Sequence, residues 1–367
     1  MNKVYFDNAA TTRVTEEVLQ AALPYLTENY GNPSSTHNMG TVAKNAIVEA
    51  RLKCAKAINA EPEQIFFTSG ATESNNIVTR EFCTLKSPYE HPSMDGTTWG
   101  ILPIDINVTR RAGIRTGLVA QMYVNNEIGT IFDVKECVKL AHENGYKCLV
   151  DATQAFSHVP IDVKDINCDF LSLSGHKFHA PKGVGLLYIK NPDEFIDKAE
   201  SLVIGGGQES GLRSGTENVF GIVALGKAME LYNYSDNVAK HYKDLKEALL
   251  TRLSQTCPVE YRINEIEGLP TVDNIVNISF KNINAEGLVT LLDMDGFMVS
   301  QGSACHSGSL EPSKVLKEIG VPDDYIHGAI RISFGLNNTF TEVYQFARCL
   351  IKHLEVLSKI NTKEKLI

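Results

Sequence analysis

The stretch Phe170-Leu-Ser-Leu-Ser174-Gly-His-Lys177 decides how this chain is read. Phe170 to Leu173 reads as a short buried strand, and it ends on a turn of small and polar residues that carries a lysine. Pro181-Lys-Gly183 follows, which makes that lysine part of a shaped loop. Working outward, the pattern repeats. Lys147 to Val150 is a strand ending on Asp151, and Val184 to Ile189 is another. Gln64 to Phe67 is a further strand, broken by Ser69-Gly70 before a polar helix start at Thr72-Glu73. Val42, Ala46, Ala50 and Ile58 recur at helical spacing. Short buried strands alternating with helices predict an α/β fold with a mostly parallel sheet covered on both faces. In such sheets ligands bind outside the carboxyl ends of the strands, where this chain places its polar residues.

From about Val219 to Leu253 the chain is charged and largely helical, with an interruption near Asn233–Ser235. The domain junction is placed there. Residues 16–232 are expected to form a large domain, and residues 1–15 and 233–367 a smaller α+β domain with strand-like Asn274–Phe280 and a helix from about Thr341.

Composition fits an ordinary globular chain: of 367 residues, 43% are hydrophobic and 22% charged, enough to bury a core without disulfides or structural metal. A formal net charge of −9 argues against nucleic-acid binding as the main activity. Neither a secretory h-region nor an apolar run of membrane-spanning length is visible, so a cytoplasmic location without membrane contact is expected.

Several candidates for chemistry lie at the strand ends. Lys177 follows directly on a buried strand, and an amine there can form a Schiff base where its surroundings favour the free base. Asp151, ahead of Ala152-Thr-Gln154, can keep a pyridine nitrogen protonated, and it reads equally well as a helix N-cap. Thr68-Ser-Gly-Ala-Thr72-Glu-Ser-Asn-Asn76 is a strand-to-helix turn whose backbone N–H groups suit a phosphate, although any such turn favours Gly, Ser and Thr. Glu90-His91-Pro92 supplies a flat imidazole, which alone reads as well as a surface or core histidine. Amine, carboxylate, phosphate cradle and stacking ring are the four parts that a pyridoxal 5'-phosphate (PLP) site needs. His176 and His179 are three apart, but nothing in sequence completes a metal site around them, and no metal is expected.

Eight cysteines occur without a CxxC pair, and seven read as small buried hydrophobes. Cys305 differs. In Val299-Ser-Gln-Gly-Ser-Ala-Cys305-His-Ser-Gly-Ser309 small residues flank it on both sides, which predicts a reachable thiol in a loop.

The ordered set of motifs resembles the NifS/IscS-type cysteine desulfurases of the class V aminotransferase superfamily, over nearly the whole length. It runs from Tyr5-Phe-Asp-Asn-Ala-Ala-Thr-Thr12 and Gly31-Asn-Pro-Ser-Ser35 with His37 through the 68–76 turn and Glu90-His91-Pro92. Val124-Asn-Asn-Glu-Ile-Gly129, Val150-Asp-Ala-Thr-Gln154 and Ser174-Gly-His-Lys177 continue it. Gly205-Gly-Gly-Gln-Glu209, Arg213-Ser-Gly-Thr-Glu-Asn218, Gly302-Ser-Ala-Cys305 and Ile330-Arg-Ile-Ser-Phe-Gly335 complete it.

The resemblance implies a PLP-dependent transferase of fold type I. It implies that Lys177 bonds the cofactor, that Asp151 pairs with the pyridine nitrogen, that Gln154 contacts the ring hydroxyl and that His91 stacks on the ring. Ala71, Thr72, Ser174 and His176 would hold the phosphate, with Thr216 reaching in from a second subunit, hence a homodimer. Asn126 would lie against cofactor and substrate, and Asn32 and Arg331 would bind the carboxylate of L-cysteine. Cys305 would take the substrate sulfur as a persulfide, leaving alanine, and pass it to an acceptor protein in iron–sulfur cluster assembly or tRNA thiolation. The loop after Gly302 resembles the long-loop group of the family. The competing readings are a selenocysteine lyase or another class V PLP enzyme, or a weakly active PLP-binding sulfur-delivery scaffold.

In one place the chain departs from the pattern. Only residues 92–124 separate His91 from Asn125, fewer than the family usually places there, and Ser93–Arg115 stands where a helix and strand are usual. Asp95, Trp99 and Arg110-Arg111 take no role from the resemblance and are read as a solvated loop.

Overall fold

In the computed structural model, which describes residues 3–101, 117–301 and 312–364, the stretch before Lys177 forms the strand Phe170–Ser174 with all five residues buried. It sits inside a seven-stranded sheet. From edge to edge the order is Ile65–Thr68, Gly185–Ile189, Phe170–Ser174, Lys147–Asp151, Gly117–Met122, Cys83–Lys86 and Thr98–Ile101. Gly185–Ile189 runs antiparallel to both neighbours, and every other pairing is parallel. Strands buried on both faces need apolar residues throughout rather than in alternation, which is why Ile65–Thr68, Gly117–Met122 and Phe170–Ser174 are buried at every position.

These strands belong to one compact unit, Thr12–Tyr123 with Asp133–Tyr234. Part of its core gathers Phe66, Ile77, Val78, Met94, Leu118, Phe170, Leu187 and Phe195. Each such side chain contributes about 1.5–3 kcal/mol when fully buried. Gly185 is required by the packing. A Cβ there would lie 2.5 Å from Gly70 Cα and 2.6 Å from the Leu173 carbonyl oxygen, both backbone atoms. Thr68 and Ser174 both pair with Gly185, so the turns after their strands leave the sheet at the same level.

The second unit comprises Met1–Thr11, Val124–Phe132 and Ser235–Ile367. Its three-stranded antiparallel sheet has the order Ala329–Ser333, Ile275–Phe280, Tyr261–Ile263, and Val4–Tyr5 pairs in parallel with Phe297–Met298. The helices Asp236–Thr256, Ala285–Met294 and Phe340–Glu364 belong to the same unit, whose core includes Phe6, Leu249, Ile278, Leu288, Ile330 and Phe346.

Two details differ from the sequence reading. The first boundary falls at 11/12 rather than 15/16, while the boundary at 234/235 falls within the interruption near Asn233–Ser235, and residues 124–132 leave the first unit for the second. Their bridges explain it: Thr130 pairs with Thr271, and the Glu127 carbonyl accepts from Asn277 at 3.1 Å. The solvated loop expected around Asp95 and Trp99 is instead a 3-10 turn, Pro92–Thr97, leading into the edge strand Thr98–Ile101. Met94, fully buried, anchors that turn, and Asp95 pairs with Lys86. Among the described residues no helix is long and apolar enough to cross a membrane.

Candidate active site

Four strands of the large sheet deliver the sequence-predicted residues at their carboxyl ends. Cys83–Lys86 leads to His91, Lys147–Asp151 ends on Asp151, Phe170–Ser174 leads to His176 and Lys177, and Ile65–Thr68 leads to the helix Ala71–Thr79. Parallel pairing, and for Ile65–Thr68 two successive antiparallel pairings through Gly185–Ile189, point these ends the same way, and Asp151 lies in register with Ser172.

Asp151 is buried, and both carboxylate oxygens accept N–H bonds. Thr153 N donates to Oδ1 at 3.0 Å, and Asn75 Nδ2 donates to Oδ2 at 3.0 Å. No helix starts after Asp151, so the bond to Thr153 N–H closes a turn rather than capping a helix, and the helix N-cap reading of Asp151 does not apply. Asn75, on the Ala71–Thr79 helix and fully buried, gives its second amide hydrogen to Ser93 Oγ at 2.9 Å. Ser93 in turn meets His91 Nδ1 through its hydroxyl at 3.0 Å and its backbone N–H at 3.1 Å. A chain of hydrogen bonds thus runs from Asp151 to His91.

The helix Ala71–Thr79 starts at Gly70 with no side-chain cap, so its first N–H groups stay open to an anion. Ala71 is buried and Thr72 exposed at this end, and a Cβ on Gly70 would stand 3.3 Å from Ser174 Oγ. His176 is half-buried beside them. Burial, then the nearby Lys177 and Lys182 charges, pushes its pKa down to about 4, so at neutral pH it offers a neutral ring. Thr12 clamps the lysine turn: its N–H and hydroxyl donate to the His176 carbonyl at 2.8 and 3.0 Å, and its Oγ1 accepts from His179 N at 2.7 Å. Lys177 itself is half-buried and Gln154 buried.

Glu90, beside His91, is the other unusual acid. Its Oε1 accepts from Met122 N at 2.7 Å and Ser87 Oγ at 2.8 Å, while Oε2 is buried with no partner among the described residues. Burial raises its pKa to about 8, with the Asp151 charge adding to the rise against the pull of the Met122 N–H. Glu90 therefore carries its proton at neutral pH.

A PLP molecule fits this donor set. Lys177 could give the amine, Asp151 the carboxylate for the pyridine nitrogen, and the open helix end with Ser174 and His176 the donors for a phosphate. His179 takes no part in a metal pair: Nδ1 meets the Arg13 carbonyl at 2.9 Å and the ring packs on Tyr232 at 4.7 Å. Among the described residues one group has metal-ligand spacing, Asp295, Cys349 and His353. There Asp295 Oδ2 already accepts from His353 and Cys349 and has the Lys352 ammonium 3.6 Å away, which opposes a second cation.

The remaining predicted residues stand elsewhere. Asn32 is exposed, and its Oδ1 accepts from Ser34 N at 2.9 Å. Thr216 is exposed in a loop whose neighbour Arg213 is tied to Glu73 at 2.9 Å. In the second unit Arg331 is almost completely buried. It donates to the Asn126 carbonyl at 2.8 Å and to Asp7 at 2.7 Å, and its Nε has no partner among the described residues. Cys305 lies outside the described residues. Sequence reasoning gave no role to Asp7, Thr12, Asn75, Glu90 or Ser93. All but Ser93 lay inside quoted motifs; only the folded chain shows what they touch.

The comparisons agree with this geometry. The model of the family described as "Aminotransferase class-V" matches residues 4–88 and 107–346. "Cysteine desulfurase IscS" of Methanosarcina thermophila is 41% identical over 392 residues, covering 98% of this chain and 95% of that protein. A solved "NifS-like protein" superposes with a TM-score of 0.84 at 34% identity, covering 97% of this chain and 100% of the other. A structure titled "SspA in complex with cysteine" follows with a TM-score of 0.77 at 31% identity, over 91% of this chain and 99% of that one. With a family match across most of its length and a buried carboxylate, a strand-end lysine and an open helix N-terminus in place, this chain belongs to the aminotransferase class-V family.

Proposed function

We propose that this protein is a PLP-dependent cysteine desulfurase that converts L-cysteine to L-alanine and holds the sulfur as a persulfide on Cys305. The observation that carries the reading is the arrangement around Asp151: a buried carboxylate fixed by two N–H donors, in a sheet whose next strand leads to Lys177. The names of the relatives, cysteine desulfurase and NifS-like protein, support the substrate and the reaction.

When bound, PLP supplies an aldehyde that condenses with amines and a protonated ring that accepts electrons. The chain's residues do the rest. Lys177 would hold the cofactor through its amine and, as a free amine, would move protons as a base on the clamped 176–179 turn. Asp151 would keep the ring nitrogen protonated, Gln154 would meet the ring hydroxyl, and His91 would stack on the ring. Ala71 and Thr72 at the helix N-terminus, with Ser174 and neutral His176, meet the phosphate by hydrogen bonds rather than by charge. Arg331 binds the substrate carboxylate, and its unpartnered buried Nε–H supports that role. Asn32 and Asn126 complete the substrate contacts. The Cys305 thiolate attacks the substrate sulfur: an S–S bond forms, the substrate C–S bond breaks, and the carbon takes up a proton to become alanine.

Thr216, exposed in a single chain, suits a role in the site of a second copy, and the enzyme works as a homodimer. The persulfide passes to an acceptor protein of cluster assembly or tRNA thiolation in the cytoplasm. A single turnover with cysteine tests the whole reading. Stoichiometric alanine and a Cys305 persulfide are expected by mass spectrometry. Cys305→Ala should lose the persulfide, and Lys177→Ala should lose the cysteine-induced spectral change. A spectrum that shifts with cysteine while no persulfide forms would overturn it.

A further inference from the structure

Asn75 and Ser93 stand between the two groups expected to face the cofactor from different directions, and each of their hydrogen bonds has a settled sense. Asn75 Nδ2 has two hydrogens, and its two partners at 3.0 and 2.9 Å are Asp151 Oδ2 and Ser93 Oγ. Turning the amide over would set its carbonyl oxygen against the Asp151 carboxylate, two acceptors in a buried space, so the donor orientation holds. Ser93 Oγ accepts from Asn75 and therefore spends its own hydrogen on His91 Nδ1 at 3.0 Å. Ser93 N–H points at the same nitrogen from 3.1 Å. A ring nitrogen that receives two donors has to be the acceptor nitrogen, which puts the ring proton on Nε2.

The frame around the relay is rigid. Asn75 has no exposed surface, and Met94, next to Ser93, is fully buried. Met94 N donates to the His91 carbonyl at 3.0 Å, and Asn76 Nδ2 to the Ser93 carbonyl at 3.3 Å. Ser93 falls in the short segment where this chain departs from the related pattern, so the relay links that departure to the site.

We infer that Asn75 and Ser93 are positioning residues that join the Asp151 carboxylate and the His91 imidazole into one hydrogen-bonded unit and fix His91 in its Nε2-protonated form. The consequence for the cofactor rests on the desulfurase reading; the relay itself does not. An orientation change at either end is felt at the other, because Asn75 cannot rotate to follow one partner without releasing the second.

Two measurements on the purified full-length protein test it. The first needs no cofactor: histidine-selective ¹⁵N NMR at neutral pH, with the His91 resonances assigned by His91→Gln. The expected result is an unprotonated Nδ1 and a protonated Nε2 in the wild type, and a smaller excess of that tautomer in Ser93→Ala, which deletes the hydroxyl donor and keeps the backbone N–H. A protonated Nδ1 in the wild type would overturn the relay.

The second is the pH midpoint of the bound cofactor's visible band in Asn75→Ala, Ser93→Ala and the double variant. The shift expected for each single variant is about 0.5 pH unit, with the double variant shifted no further than the larger single one. Additive shifts, or an unchanged midpoint in Ser93→Ala, would also overturn the relay. A protein with no visible band at all would instead sink the desulfurase reading, while the NMR result still decides the relay.

Discussion

Glu90→Gln should gain stability on the wild type as the pH rises from 6 to 8, the difference between the two widening by about 2 kcal/mol over that interval. Glu90 holds its proton up to about pH 8 in the folded chain, against an ordinary value of 4.5. A group whose folded pKa is raised adds stability below its unfolded pKa and loses it as the pH climbs through the folded one. Between pH 6 and 8 the unfolded chain has released this proton and the folded chain is only beginning to. Each pH unit in that window removes about 1.4 kcal/mol, and rounding off at the folded pKa leaves about 2 kcal/mol over the interval. Glutamine keeps the Oε1 acceptor for Met122 N and Ser87 Oγ and places a neutral amide where the protonated oxygen was. For a unit of 150–250 residues, 2 kcal/mol corresponds to about 4–8 °C in Tm. Parallel thermal melts of the two holoproteins from pH 6 to 8 read the difference directly, since effects of pH on cofactor retention are common to both. A Tm gap that stays constant across the interval would refute the assignment of a neutral Glu90.

Other perturbations have equally definite outcomes. Arg331→Met removes the partner of Asp7 and the donor to the Asn126 carbonyl, and should cost about 3–5 kcal/mol in denaturant unfolding. His158, whose pKa burial and the His179 charge lower to about 4, has the opposite pH dependence to Glu90. The unfolded chain binds its proton first, so up to about 3 kcal/mol of stability disappears as the pH falls from 6.5 to 4, and His158→Leu should flatten that acid limb. Gly185→Ala sets a Cβ against two backbone atoms that cannot yield separately. It should lower stability by about 1–3 kcal/mol and, by moving Gly70, weaken phosphate-dependent cofactor retention in a dialysis assay.

How much of this was legible in the sequence depends on the kind of signal. Phe170–Ser174, Lys147–Asp151 and Ile65–Thr68 are apolar runs that end in polar turns, so their strands were readable to within a residue or two. Gly117–Met122 is just as buried, but Gln121 interrupts its apolar run, and the strand was not read. The 3-10 turn after His91 was read as solvated because Ser, Asp, Gly and Thr dominate it. Its one anchor is Met94, whose burial is a property of the packed sheet and helix rather than of the segment. Lys177 and Asp151 were visible because cofactor chemistry demands those residue types after strands. Asn75 and Ser93 were not, since an amide in a helix and a serine in a turn carry no chemistry until they are seen to share a hydrogen bond 18 positions apart. The close contact at Gly185 is similarly three-dimensional: nothing local marks which glycine of a strand faces a neighbouring turn.

Asp151 and Glu90 share out their hydrogen bonds differently. Asp151 accepts an N–H on each oxygen, whereas Glu90 takes both donors on one oxygen and has none on the other among the described residues. Burial is the larger cause of the raised Glu90 pKa, and the Asp151 charge adds to it. Asp151→Asn should therefore lower the pKa of Glu90 without restoring it to 4.5, because burial is the larger cause. In that background the pH-dependent Tm gap between Glu90 and its Gln variant should shrink but persist. An unchanged gap would mean that the two carboxyls do not sense each other. A vanished gap would mean that the charge on Asp151, not the burial of Glu90, sets the proton in place, and the magnitude worked for Glu90→Gln would then rest on the wrong cause.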